Sequence, residues 1–177
     1  MKNVSGKFSA ARLAQLGMLL AAASIVFLIE SLVPPLLPAA PYVRLGLANV
    51  FLLFVIAVYG AGDAFLFTLG KNLVSMALTG AGFTALFNLA GSLCAYLAMA
   101  GLYAAACPRV SPVAVSVAGA VLSNIARTCV AVAVTGAPAL FVQLPFVCAF
   151  GLAAGILVGV LACFLLKYLP ERLTKPK

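Results

Sequence analysis

The stretch from Leu13 to Val33 reads LAQLGMLLAAASIVFLIESLV, and its one charged group, Glu30, stands near the far end. A helix needs roughly 20 predominantly apolar residues to cross a ~30 Å hydrocarbon core, and this run supplies them. It is too long for the core of a signal peptide and no small-residue cleavage site follows it, so it is expected to remain as a first transmembrane helix. The rest of the chain repeats the pattern. Of 177 residues, 66% are hydrophobic and 8% charged, against about 25% charged in ordinary globular chains. A soluble domain of this size could not hide so much apolar surface, so the exterior is expected to face lipid. The segments are continuously apolar rather than alternating, which rejects a β-barrel.

Outward from this helix, proline and glycine mark the turns. Pro34, Pro35, Pro38 and Pro41 remove amide donors and define a non-helical loop over 34–43. A second helix is expected over 44–59, broken by Gly60-Ala61-Gly62, with Asp63 as the N-cap of a third over 63–79. After Gly80-Ala81-Gly82 come helices over 83–106, 112–135 and 140–168, separated by Cys107-Pro108-Arg109 and Gly136-Ala137-Pro138. The expected fold is all-α, one polytopic membrane domain over 1–177 with six transmembrane helices and no soluble linker or internal repeat.

Lys and Arg near helix ends are retained on the cytoplasmic side. With both termini inside, Lys2, Lys7, Arg12, Arg109, Lys167, Arg172, Lys175 and Lys177 all fall on that side, and Arg44 alone falls at the outer ends. The net charge of +8 then reflects topology and anionic lipid rather than nucleic acid. The expected location is the bacterial cytoplasmic membrane, crossed several times.

Charge inside a bilayer costs from about 2.5 to 17 kcal/mol, so each intramembrane charge needs a partner or a task. Glu30, Arg44, Lys71 and Arg127 all fall in the outer half of the bundle, with the amides Asn49, Asn72, Asn88 and Asn124 in the same layer and Gln143 near the outer end of the last helix. The inner half holds almost no such groups, which argues for a polar pocket open to the outside. Glu30 and Arg44 form either an ion pair that pins the proline loop or part of that pocket. The amides are either interhelical hydrogen bonds or ligand contacts. Lys71 and Arg127 point more firmly to a ligand, because Arg44, Lys71 and Arg127 against Glu30 leave an excess of positive charge. An anion carrying an apolar body would match it. On the first helix, Ala10 with Ala14 and Gly17 with Ala21 form a small-residue face on which another helix could dock.

Inventory excludes several chemistries. With no histidine, and five cysteines that form no C-x-x-C pair, metal sites are not expected. Gly70-Lys71-Asn72 lacks the flanks of a P-loop, and Asp63 is the lone aspartate, so nucleotide hydrolysis and Mg²⁺-dependent prenyl transfer have no ligands. No cofactor and no catalytic residues are expected.

Glu30-Ser31, the proline loop, Arg44-Leu45-Gly46-Leu47-Ala48-Asn49, the glycine-ended third helix with Lys71, and Gly119-Ala120 through Asn124-Ile125 resemble the bacterial heptaprenyl diphosphate synthase component I family, also called the Gx transporter family. The resemblance spans roughly 15–165, and Gly46-Leu47-Ala48-Asn49 is its most specific piece. The family is similar to the substrate-binding S components of energy-coupling-factor transporters, six-helix proteins that dock through helix 1 on a transmembrane coupling subunit with two ATPases. The resemblance therefore implies solute uptake through an outer-half pocket. Two positions depart from it: the family more often carries an amide where Arg127 stands and an arginine where Lys71 stands.

The leading expectation is a membrane transport subunit that binds a small, anionic, partly apolar solute from outside, such as a quinone or isoprenoid precursor or a vitamin-like compound. The alternative is a non-catalytic membrane subunit that anchors a prenyl diphosphate synthase or an electron-transfer assembly.

Overall fold

A computed structural model describes residues 10–32, 45–80, 82–106 and 109–168. They form six α-helices: α1 (Ala10–Leu32), α2 (Asn49–Tyr59), α3 (Ala61–Thr79), α4 (Phe83–Ala106), α5 (Pro112–Thr135) and α6 (Leu144–Tyr168). No strand occurs among the described residues. The segments Arg12–Leu32, Phe83–Ala106, Pro112–Thr135 and Pro138–Tyr168 are long and apolar enough to cross a membrane. α3, at 19 residues, extends about 28 Å but carries Asp63, Lys71 and Asn72.

α2 is the exception in length and decides where the site lies. Its 11 residues extend only about 16 Å. Its last residue, Tyr59, is tied to the start of α1, because Arg12 Nη2 donates to the Tyr59 carbonyl at 3.0 Å. Its first residue, Asn49, therefore stands near mid-depth in the bundle. Leu52 to Ile56 are all buried, as expected of a helix that is apolar all round and enclosed by its neighbours. α2 packs on every other helix.

Three boundaries differ from the sequence reading. The second helix begins at Asn49 rather than Arg44, because Gly46 takes a positive φ of 72° and the chain turns there before the helix starts. The third begins at Ala61, directly after Gly60 at φ 90°, so Asp63 lies inside the first turn and is not the N-cap. It forms an ion pair with Arg12 instead. The last helix is preceded by a 3-10 segment over Pro138–Gln143 and starts at Leu144. Arg44, the loop 34–43, Ala81, Cys107 and Pro108 lie outside the described residues.

The seam between α5 and α6 is a glycine ladder. A Cβ on Gly155 would lie 2.6 Å from the Val117 Cα, and one on Gly159 would lie 2.7 Å from the Val113 Cα. Gly151 sits the same way near Val121. Glycine at every fourth position removes side-chain bulk from one face, so the two backbones approach closely.

The core divides by depth. Around the Tyr59 end of α2 it is apolar, with Phe54, Val55, Phe67, Ala95, Met99, Val115 and Val158 packed together. Around the Asn49 end, the buried groups are Asn49, Lys71, Ser75, Asn88, Ser92 and Arg127. The same helix faces carry both layers: α3 runs from Ala64 and Phe67 up to Lys71 and Ser75, and α4 from Asn88 and Ser92 down to Ala95 and Met99.

Candidate functional site

The polar layer encloses a small cavity. Phe27 and Glu30 of α1, Gly46 and Ala48 of the turn before α2, Asn49 of α2, Lys71, Asn72 and Ser75 of α3, Asn88 and Ser92 of α4, and Arg127 of α5 line it. Its volume is about 20 Å³, room for roughly one water molecule.

Glu30 builds the first wall. Its carboxylate accepts from the Gly46 amide at 2.6 Å and from the Leu47 amide at 3.1 Å. These donors belong to the turn that leads into α2, where Asn49 N donates to the Gly46 carbonyl and Val50 N to that of Leu47. An acid at the positive end of a helix, held by two amides, fixes the end of α1 to the start of α2. The positive φ of Gly46 makes this turn possible, and a side chain there would crowd Asn49 Nδ2 at 3.0 Å.

Lys71 reaches in from α3 and donates to Asn49 Oδ1 at 3.0 Å, while 7% of its surface remains exposed. Arg127 and Glu30 both lie within electrostatic reach of it. Arg127 passes over Gly91 of α4, where a methyl group would overlap its guanidinium. The seam between α3 and α4 is closed by two side-chain bridges. Asn72 Nδ2 lies 2.6 Å from Ser92 Oγ, and Asn88 Nδ2 donates to Ser75 Oγ at 3.1 Å.

Of the candidate ligand residues read from the sequence, Glu30, Asn49, Lys71, Asn72, Asn88 and Arg127 come together in this wall. Asn124 does not. It is buried on the α5–α6 seam with its amide nitrogen toward Gly151, and its Oδ1 has no hydrogen-bond partner among the described residues. Arg44 lies outside the described residues. Sequence reasoning missed Ser75, Ser92, Gly46, Gly91 and Phe27. Two of these were within reach, since Ser75 follows Lys71 and Ser92 follows Asn88 by one helical turn, on the same face. On α1, Ala14, Gly17 and Ala21 are exposed, and nothing described lies within 4 Å of a Cβ placed on Gly17. Ala10 starts the helix.

The wall sums to one net positive charge, from Lys71 and Arg127 against Glu30. Such a set can hold an oxyanion by charge-assisted hydrogen bonds, with Asn49, Asn72 and Asn88 orienting it. The backbone is similar to a solved structure of the S component of a bacterial ECF transporter, with a TM-score of 0.70 and 20% sequence identity over 94% of this chain and 99% of that one. Comparison with curated proteins finds no match. Residues 19–165 match the model of the family described as heptaprenyl diphosphate synthase component I, and the chain belongs to that family.

Proposed function

We propose that this protein is a non-catalytic membrane transport subunit that binds a small, anionic, partly apolar solute from the outer side. The observation that carries this reading is the cavity wall itself: five helices converge two cations, one acid and three amides at mid-depth, above a sealed apolar core. The side opposite that core is the one from which a solute would arrive. The S-component-like fold supports the same role. The exposed Ala14, Gly17 and Ala21 face of α1 offers a docking surface for a transmembrane coupling subunit with its ATPases.

The family description, which names a synthase component, favours a second reading as a membrane anchor for a prenyl diphosphate synthase. One experiment separates them. Small molecules extracted from purified wild-type protein and from Lys71→Met are compared by mass spectrometry, followed by equilibrium binding of the species found. Transport binding requires an anion that copurifies with the wild type and binds Lys71→Met roughly 10- to 150-fold more weakly, the loss of a hydrogen bond to a charged group. Identical extracts from the two proteins would favour the anchor.

A further inference from the structure

A second space adjoins the cavity. Between α3 and α4, on the side away from the bundle interior, lies an apolar groove of about 610 Å³. Leu73 and Met76 line one wall, Phe83, Ala85, Leu86 and Leu89 the other, and Asn72 lines both the groove and the polar cavity. The partition between the two is therefore the pair of side-chain bridges, Asn72 to Ser92 and Asn88 to Ser75.

The two volumes are unequal in a way that bears on the ligand. The polar cavity has room for about one water, too little for the body of any solute, whereas the groove falls within the range of about 300–1,000 Å³ usual for ligand sites. Charge is all on one side of the partition. Lys71, Arg127 and Glu30 stand in the cavity, and the groove has no charged residue in its wall.

From this juxtaposition we propose that the ligand is a single-chain amphiphile, whose anionic head meets Lys71 in the cavity and whose linear apolar chain leaves between α3 and α4 to lie in the groove, with Asn72 at the crossing point. The inference rests on the reading of the cavity as an anion site. The chain enters sideways from the membrane once the Asn72–Ser92 bridge opens, so the groove is the tail subsite of the solute rather than a seat for bilayer lipid.

The probes are butyl phosphate and butanoate, which carry little more than the head, and dodecyl phosphate and dodecanoate with a diazirine at the chain end. Protein in phosphatidylcholine nanodiscs is irradiated with the long probes and the labelled peptides are mapped. Labelling is expected at Leu73, Met76 and Leu86, competed away by the short probe of the same head and lost in Lys71→Met. Ala85→Trp, which fills the groove, is expected to weaken the long probe about tenfold more than the short one, the equivalent of roughly two methylene groups left unburied. Groove labelling that persists in Lys71→Met and resists the short probes would show that bilayer chains fill it, overturning the inference and leaving the anion site intact. Short probes that bind with Lys71 dependence, while the long ones label elsewhere, would also overturn it. If neither short probe binds, the anion site fails and the inference fails with it.

Discussion

Glu30 shows how one residue can serve the fold and the site together. Both of its carboxylate oxygens accept backbone amides at the start of α2, so Glu30→Ala strands two donors inside the bundle. Thermal unfolding in detergent is expected to show a loss of about 2–3 kcal/mol, with Glu30→Gln falling between the variant and the wild type because it keeps one acceptor. An unchanged midpoint for Glu30→Ala would mean that the amides find another partner. The sequence reading set Glu30 between an ion pair to Arg44 and a ligand contact, and it could not see the third option. A carboxylate that binds main-chain amides leaves no signature in side-chain inventory, because its partners exist at every position. The charged and amide side chains were legible for the opposite reason. In an apolar chain each is expensive, and so Lys71, Asn49 and Arg127 stood out before their contacts were known.

At the scale of elements, six helices could be read from apolar runs and glycine or proline breaks, and their order and number agree with the structure. Two of the three boundary differences, at the starts of α2 and α3, share a cause. Gly46 and Gly60 adopt positive φ, which fixes where α2 begins and α3 follows, but composition does not reveal which glycine of a cluster takes that role. Small residues recur at four-residue spacing on both α1 and α6, and spacing alone does not say which of the two faces is already packed. The two faces are expected to respond differently to bulk. Gly155→Ala drives a methyl into the Val117 backbone and is expected to cost about 1–3 kcal/mol in thermal unfolding, whereas Gly17→Leu meets open space and leaves stability near wild type. The same Gly17→Leu is expected to impair copurification with a coupling subunit. Equal destabilisation by both changes would indicate that the α1 face is internal.

For the whole molecule, the division of the core by depth couples fold to direction. The apolar half fills one side of the bundle around Phe54, Phe67 and Met99, and the polar cavity lies toward the other, so on the proposed reading the polar head of a solute would meet the protein from that second side. Which face that is depends on orientation in the membrane, and the basic residues carry the argument. Arg12 and Asp63 pair at the sealed end, Arg109 lies in the α4–α5 turn at that same end, and Lys167 closes α6 there. Lys and Arg close to helix ends favour the cytoplasm, so the sealed end is expected inside and the cavity outside. The check is labelling of intact cells with a membrane-impermeant thiol reagent, using cysteine-free protein into which single cysteines are returned. Ser111→Cys, which begins α5 at the sealed end, is expected to react only after the cells are opened. Ala137→Cys, in the turn after α5 at the cavity end, is expected to react in intact cells. The reverse pattern would turn the cavity toward the cytoplasm. Uptake from outside would then be untenable, and the same site would have to receive an anion made within the cell.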